Sequence, residues 1–225
     1  MHPLDRPIWS SLATAHKALS LGDERARRYL PEVNLFASAC DDSDEALAGL
    51  AGLIDVGEQV YQLQVPPIAV PPGLAAVKQA WGVQMVALQP LAGDADESDI
   101  AVLGDDDAAE MLALAQLTRP GPFLAHTHRM GRFVGIRIDG RLAAMAGERF
   151  RFPGWTEVSG VCTHPDFQGR GLARRLSRHV AAHIAARGDT AFLHAWRDNT
   201  AAIRLYEQLG FVWRTDVHVT VLARA

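Results

Sequence analysis

The residues with the clearest chemical potential form a short loop, Gln168-Gly169-Arg170-Gly171, directly before a predicted helix. Backbone N–H groups at the start of a helix lack partners within the helix and therefore bind anions such as phosphate. The glycines leave these groups accessible, because they carry no side chain. Arg170, Arg174 and Arg178 recur every four residues, which places them on one helix face. The helix dipole disfavours cations here, so the pattern favours an anionic ligand over a solvated basic face.

Two other phosphate-binding motifs are excluded by the residues around this loop. A dinucleotide fingerprint requires Gly or Ala three residues after Gly171, where this chain has Arg174. A P-loop requires the pattern G-x-x-x-x-G-K-[ST], which occurs nowhere in the sequence. The loop therefore predicts a phosphate cradle of a different kind.

The elements that must position this loop indicate an α/β fold with a mixed sheet. Asp139-Gly140 is a strong hairpin signal between two strands. The helix after the loop connects two further strands, and such a crossover requires parallel neighbours in the sheet. The predicted strands cover residues 100–103, 132–138, 141–149, 157–163 and 190–196, with one or two more in 211–222. The predicted helices follow Asp105–Asp107 and cover 169–187 and 200–209, with a short one near 125–130.

The first hundred residues carry no comparable motif and are predicted to form a smaller α/β lobe. Its predicted elements are helices over 9–19 and 44–54 and strands over 59–65 and 83–88. Asp44 is the predicted N-cap of the second helix. Residues 91–98 (LAGDADES) are small and acidic without an apolar period, which predicts a linker. The predicted domains are therefore residues 1–98 and 99–225.

Two segments of the second domain resemble the hallmarks of one family. Gln168-Gly169-Arg170-Gly171-Leu172-Ala173 resembles the Q/R-x-x-G-x-G/A signature of the GNAT superfamily of acyl-CoA-dependent N-acyltransferases. Residues 199–211 resemble its second motif, N-x-x-A-x-x-L-Y-x-x-x-G-F, and Thr163-His164-Pro165 is similar to one GNAT subgroup. The resemblance covers residues 99–225 and implies a GNAT fold whose mixed central sheet is splayed at the CoA site. The lobe before it is compatible with a degenerate GNAT-like half.

The resemblance also implies which residues bind acetyl-CoA. The backbone of the central strand, around Val161–Thr163, would bind the pantetheine arm, and the loop from Gln168 to Ala173 would bind the pyrophosphate. Arg170 or Arg174 would lie near the nucleotide phosphates. The implied cofactor-binding residues are Val161, Cys162, Thr163, Gln168, Gly169, Arg170, Gly171, Leu172, Ala173, Arg174, Asn199 and Tyr206.

Catalysis, on this resemblance, is direct attack of an amine on the thioester within a ternary complex. Tyr206 matches a tyrosine that acts as general acid; its alternative role is packing within a helix. Glu157 ranks first as general base and His194 second, with Glu148 as a third candidate. The alternatives are a surface strand residue for Glu157 and a hydrogen-bonded histidine for His194. A backbone N–H near Val161 would polarise the carbonyl.

Composition excludes several other classes of protein. Hydrophobic residues make up 48% and charged residues 21% of the 225, which is ordinary for a globular protein. No apolar run approaches the ~18 residues of a membrane span, and the first residues lack the pattern of a secretory signal. Cys40 and Cys162, the two cysteines, cannot form a disulfide framework. A cytoplasmic protein is therefore expected.

Charge is unevenly distributed along the chain. The net charge is −4, yet residues 1–100 hold 6 basic and 14 acidic side chains and residues 101–225 hold 16 and 12. An anionic ligand therefore suits the second part, whereas the net acidity argues against binding of nucleic acid. His179 and His183 are spaced like metal ligands, but no third ligand is evident and no metal is predicted.

The sequence thus predicts an N-acetyltransferase that moves an acetyl group from acetyl-CoA to a primary amine. The alternative is a non-catalytic acyl-CoA sensor or regulatory GNAT-like protein, which would keep the loop but lack a competent base. A weaker hypothesis, a nucleic-acid-associated protein, would use the arginine face. The acceptor is expected to be a small-molecule or peptide amine, without a membrane partner, and a homodimer is compatible with the sequence.

Overall fold

The elements of the fold are given by the computed structural model, which describes residues 2–93 and 97–224. The strands are β1 (Ser20–Gly22), β2 (Ala26–Tyr29), β3 (Ala37–Ala39), β4 (Gln59–Gln64), β5 (Ala75–Ala87), β6 (Ile100–Leu103), β7 (Phe133–Ile138), β8 (Arg141–Phe152), β9 (Trp155–Thr163), β10 (Thr190–Trp196) and β11 (Phe211–Ala223). The α-helices are α1 (Pro7–Leu12), α2 (Asp44–Gly52), α3 (Ala108–Thr118), α4 (Leu172–Ala186) and α5 (Thr200–Gln208). Short 3-10 turns include Asp105–Asp107 and Thr127–Met130.

One mixed sheet of eight strands organises the molecule, in the order β4-β11-β5-β10-β9-β8-β7-β6. Strands β1, β2 and β3 form a separate antiparallel sheet. In the large sheet β9 and β10 pair in parallel and the other neighbours pair antiparallel. The crossover between the parallel strands contains α4, as the sequence predicts. The predicted α/β class with a mixed sheet is confirmed.

Hydrophobic cores cover both faces of this sheet. On one face, α4 buries Leu172, Leu176, Val180 and Ile184, which are spaced four residues apart and therefore form one stripe. On the other face, Ile8 and Leu12 of α1 pack together with Leu4 and with aromatic residues of β8 and β10. The N-terminal residues therefore complete the second face of the sheet. No helix of the described residues is long and apolar enough to cross a membrane.

The β7–β8 hairpin shows local sequence determining local structure. Asp139 and Gly140 both have positive φ angles, 51° and 77°, as a two-residue hairpin turn of this type requires. Strands β6 and β10 begin and end where the sequence predicts them. Strand β11 is a single strand, and its pairing with β5 is irregular between Trp213 and Thr215 and between Val221 and Leu222.

The first hundred residues differ more from the predictions. The helix predicted over 9–19 is wrong in its second half: α1 ends at Leu12, and a 3-10 turn covers Lys17–Leu19. The N-cap of α2 is Ser43, whose hydroxyl accepts from the Ala46 N–H, and not Asp44. Strands β1 to β3 were not predicted, because each is only three or four residues long. Strand β5 begins eight residues before the predicted strand at 83–88.

The large sheet contains strands from both sides of the predicted domain boundary. Strand β5, which precedes residue 98 in the sequence, lies in the sheet between β10 and β11, which both follow it. The division into 1–98 and 99–225 stays a prediction. Of the predicted linker 91–98, residues 94–96 lie outside the described residues.

Candidate active site

The site begins where two parallel strands separate. The pairing of β9 with β10 runs through Trp155–Thr190 and Thr156–Ala191 and ends at Glu157–Phe192. Beyond that point β9 pairs with β8 alone and β10 with β5 alone. Residues 158–163 of β9 therefore present a free strand edge, whose unpaired backbone groups are suited to an extended ligand. The splayed sheet implied by the family resemblance is confirmed here.

A bulge lies beside this divergence, at Gly160. Met145 pairs with Cys162 and Gly147 with Ser159, so β9 has one residue more than β8 between these pairs. Gly160 has a φ of 63°, and an added Cβ would lie 2.9 Å from the Phe133 ring. Only glycine fits this position without strain. This bulge was not predicted from the sequence, although an isolated glycine within a strand is a signal for one.

The glycine loop lies beyond the end of β9. Gly169 and Gly171 have φ angles of 76° and 74°, and an added Cβ at either would meet no atom within 4 Å. The helix begins at Leu172, later than predicted, with Gly171 as its N-cap, so Arg170 belongs to the loop. The prediction that Arg170, Arg174 and Arg178 share one helix face is therefore wrong for Arg170, which precedes the helix. Arg170 packs over the Phe167 ring at 5.4 Å, and Arg174 is exposed.

Helix α5 brings the residues of the second motif to the same region. Asn199 is its N-cap, and the Asn199 Oδ1 accepts from the Ala202 N–H at 3.1 Å. The Tyr206 side chain is buried, with its ring 6.1 Å from that of Phe211. Burial raises the pKa of Tyr206 to about 12, so its phenol stays protonated near neutral pH. Its hydroxyl has no hydrogen-bond partner within residues 2–93 and 97–224.

A cavity of about 330 Å³ occupies the space between the diverging strands. Seven of the predicted site residues line it: Val161, Cys162, Thr163, Gln168, His194, Asn199 and Tyr206. The remaining predicted residues, Gly169, Arg170, Gly171, Leu172, Ala173 and Arg174, continue from Gln168 to the start of α4, and Leu172 is part of the core. The cavity is also lined by the segment 118–122 and by residues that were not predicted from the sequence: Phe36, Tyr61, Leu63, Gly82, Arg149 and Val219.

Glu157, the first-ranked base, lies behind this cavity and does not line it. The carboxylate is fully buried and accepts four hydrogen bonds: from Arg149 Nε at 2.7 Å, Arg149 Nη2 at 2.6 Å, His194 Nδ1 at 2.6 Å and the Phe150 N–H at 3.3 Å. Burial alone would raise the pKa of Glu157, but the Arg149 charge and hydrogen bonds outweigh it and hold the pKa at about 2. A carboxylate in this environment is a weak base.

His194 borders the cavity and is held at both ring nitrogens. Its Nδ1 contacts Glu157, and its Nε2 lies 3.0 Å from the Gln84 amide nitrogen. Gln84 donates to the Leu4 carbonyl and accepts from Arg214, so its amide nitrogen faces His194 as a donor. The imidazole therefore carries its proton on Nδ1 and a lone pair on Nε2. Burial lowers the pKa of His194, and the nearby Glu157 only partly opposes this effect.

Other candidate residues have structural partners. Glu148 is buried and binds Arg187 at 2.6 Å, outside the cavity. Burial raises the pKa of the Cys162 thiol to about 11, in agreement with a packing role. His179 contacts Glu97 at 2.8 Å. Among the described residues, no group of three His, Cys, Asp or Glu side chains is placed to hold a metal ion.

The sequence of the chain is similar to known acetyltransferases. Residues 133–219 match a family described as FR47-like protein. The chain is 31% identical over 118 residues to the ribosomal protein bS18-alanine N-acetyltransferase of Salmonella typhimurium, covering 50% of this chain and 79% of that protein. It is 33% identical over 138 residues to a mycothiol acetyltransferase of Streptomyces scabiei, covering 52% of this chain. That match spans only 43% of the mycothiol enzyme, and two further mycothiol acetyltransferases are covered to 21% and 33%.

A solved structure matches over the full length of the chain. A GNAT-family acetyltransferase from Novosphingobium aromaticivorans superposes with a TM-score of 0.93 at 45% identity, and the match covers 100% of both chains. A second, more distant structure, from Kribbella flavida, has a TM-score of 0.64 at 17% identity and shares the fold over 96% of this chain. The N-terminal lobe is therefore part of the shared architecture.

Proposed function

The chain belongs to the GNAT superfamily of N-acetyltransferases, and on that premise we propose that it transfers an acetyl group from acetyl-CoA to a primary amine. The observation that carries this proposal is the divergence of β9 from β10 after Glu157 and Phe192, with a cavity between the two strands. Acetyl-CoA supplies an activated thioester carbonyl, which the amine attacks directly in a ternary complex.

The residues beside the cavity fit the chemical groups of CoA. The open space at Gly169 and Gly171 admits a pyrophosphate close to the backbone N–H groups at the start of α4. Arg170 and Arg174 supply positive charge on the exposed side of this loop. The free edge of β9 provides backbone partners for the amides of the pantetheine arm. We therefore assign the loop from Gln168 to Ala173 to the phosphates.

Three groups at the cavity would perform the chemistry. A backbone N–H near Val161, beside the Gly160 bulge, would polarise the carbonyl. Tyr206 holds a proton at neutral pH and would act as general acid toward the leaving group. His194 would accept the proton of the amine on Nε2, displacing Gln84, directly or through a water molecule. Glu157 is assigned a positioning role, because its Oε1 orients the imidazole and stabilises its charged form.

The proposed acceptor is a small-molecule or peptide amine. Relatives carry names that refer to mycothiol and to the alanine of a ribosomal protein, which are acceptors of these two kinds. Cytoplasmic location stays a prediction from the sequence.

One observation favours the non-catalytic alternative. Both His194 nitrogens and both Glu157 oxygens already have partners within the protein, so neither base candidate is free in the structure. A sensor of acyl-CoA would keep the glycine loop and the splayed strands without using a base. A measurement of acetyl transfer distinguishes the two functions, because only an enzyme would turn over acetyl-CoA in the presence of an amine.

The first experiment is isothermal titration with acetyl-CoA, with desulfo-CoA and ATP as controls. Binding of acetyl-CoA and desulfo-CoA but not ATP is expected, followed by thiol release when an amine is added. Binding without thiol release from any amine would support the sensor. Absence of binding by folded protein would contradict both functions.

A further inference from the structure

One nitrogen of the Arg149 guanidinium is available to donate a hydrogen bond to a ligand. Its Nε and Nη2 donate to Glu157, whereas its Nη1 has no hydrogen-bond partner within the described residues. The guanidinium carbon lies 4.9 Å from the centre of the Phe36 ring and 4.6 Å from that of Phe150. The group is therefore held in place by a buried carboxylate and two aromatic rings, and it lines the cavity.

The rest of the cavity lining includes apolar and cationic side chains, together with the hydroxyl groups of Tyr61 and Thr118. Leu63, Val219 and Phe36 form an apolar surface, and Arg119 adds a second positive charge. Within the described residues, no aspartate or glutamate lines the cavity. Glu157 is shielded behind Arg149. Such a wall repels an acceptor with several ammonium groups, because nothing in it would neutralise them.

The same wall suits an amine that loses its proton easily. The α-amino group of a peptide N-terminus has an ordinary pKa of about 7.7–8.0, whereas an alkylamine such as a lysine side chain has about 10.4. Near pH 8 about half of the α-amino groups are already neutral, and well under about 1% of the alkylamines are. In this site both candidate bases are hydrogen-bonded within the protein, so an amine that is already neutral, such as an α-amino group, is favoured over an alkylamine.

We infer that the acceptor is an α-amino compound, and that Arg149 Nη1 donates to the carboxylate or carbonyl oxygen next to the amino group. This inference rests on the proposed function for the location of the acceptor. The apolar surface of Phe36, Leu63 and Val219 receives the acceptor's side chain. Arg149 is thereby a specificity-determining residue, in addition to its ion pair with Glu157. Free amino acids and peptide N-termini both carry an oxygen next to the amino group, and the easily lost amine proton belongs to the peptide N-terminus.

The test compares the binding of matched amines to the full chain by isothermal titration, with and without saturating desulfo-CoA. Leucinamide, leucine and 3-methylbutylamine share a side chain, and the third lacks the adjacent oxygen. Leucinamide or leucine is expected to bind at least ~10-fold more tightly than 3-methylbutylamine, because a hydrogen bond to a charged group is lost in the latter. Tighter binding of leucine identifies a free carboxylate, and tighter binding of leucinamide identifies a peptide-like carbonyl.

Equal affinity within this set would overturn the inference, as would tighter binding of putrescine or no binding of any of these amines. These outcomes do not depend on turnover, so they are distinguishable from a failure of the proposed function, which appears as absent acetyl-CoA binding or transfer.

A variant tests the assigned residue itself. Arg149→Lys keeps a positive charge beside Glu157 but loses the guanidinium fork. It is expected to remove the preference for leucinamide or leucine over 3-methylbutylamine, while the affinity for acetyl-CoA changes less than ~3-fold. Arg151→Lys is the matched control, because Arg151 is half exposed, lies outside the cavity and forms its one ion pair within the described residues with Asp189, at 3.8 Å. A retained preference in Arg149→Lys contradicts the assignment; if this variant fails to fold, the comparison of amines on the unaltered chain decides.

Discussion

Glu157 Oε1 lies 2.6 Å from His194 Nδ1, at the point where β9 and β10 separate. The two residues belong to neighbouring parallel strands, and Glu157 is in the last pair before the divergence. This contact holds the imidazole proton on Nδ1 and leaves the Nε2 lone pair beside Gln84. The chemistry that we propose for the cavity therefore depends on a hydrogen bond formed where the sheet opens.

His194→Gln is expected to lower kcat about 100-fold, because the variant loses the proposed base. The loss should shrink as the pH rises above the pKa of the acceptor amine, since that amine then enters without its proton. The measurement is kcat between pH 6 and pH 10. His183→Gln is the matched control, because His183 lies on α4 outside the cavity. An unchanged kcat in His194→Gln would remove the base assignment.

Tyr206→Phe is expected to lower kcat at least ~10-fold while changing the affinity for acetyl-CoA less. The Tyr206 hydroxyl has no partner in the described structure, so its removal leaves no unsatisfied group and should preserve stability. Tyr29→Phe provides the opposite control: its hydroxyl contacts Ser11 and His16, so stability should fall by about 1 kcal/mol with kcat unchanged. Steady-state kinetics and urea unfolding measure both. Equal kcat values for Tyr206→Phe and the unaltered chain would make the tyrosine structural.

Gly171→Ala is expected to weaken acetyl-CoA binding at least ~10-fold, because a methyl group would occupy the proposed phosphate cradle. Gly188→Ala is the matched control. Both glycines have positive φ angles, 74° and 84°, and no atom within 4 Å of an added Cβ, and they lie at opposite ends of α4. Both variants should lose about 1 kcal/mol of stability from backbone strain. Equal affinities of the two variants for acetyl-CoA, measured by isothermal titration, would contradict the assignment of this loop to the phosphates.

Acid is expected to destabilise the fold in two stages. Burial holds the pKa of His16 at about 4, below its ordinary 6.5, so the unfolded chain binds the proton first and stability falls between pH 6.5 and 4. The contribution of His16 is up to ~3 kcal/mol. The pKa of Glu157 is also lowered, from 4.5 to about 2, so its contribution is present above pH 4.5 and is lost toward pH 2.

Urea unfolding at pH 8, 6.5, 5 and 4 checks the first stage. His16→Gln should reduce the slope of stability against pH in this window, and an identical slope in the variant and the unaltered chain would refute the assignment to His16.

A fragment of residues 95–225 is expected to be unfolded and unable to bind acetyl-CoA. It lacks β5, which pairs with β10 on one side and β11 on the other. Two apolar strand edges would then be unpaired. Circular dichroism and titration with acetyl-CoA test this expectation. A folded fragment that binds the cofactor would instead support the predicted domain boundary after residue 98.

The sequence by itself determined the elements whose signals are local. The Asp139-Gly140 turn, the buried stripe of α4 and the glycine loop before it each depend on neighbouring residues, and all were predictable. The family followed from two motifs in the same half of the chain. Periodicity also indicated β6 and β10 with their observed bounds.

Only the tertiary structure decided which residues form the part of the cavity that we assign to the acceptor. Phe36, Leu63, Arg149 and Val219 lie far apart in the sequence. They meet because β4 pairs with β11, which joins Leu63 to Val219, and because Phe36 pairs with Tyr61 of β4 and packs against the Arg149 guanidinium. The identity of each residue and of its sequence neighbours does not indicate that these side chains come together. The burial of Glu157 was equally invisible, since a glutamate in a strand is ordinarily exposed. Its Arg149 partner, eight residues away on an antiparallel strand, offsets the cost of burying that charge, and this pairing depends on strand register.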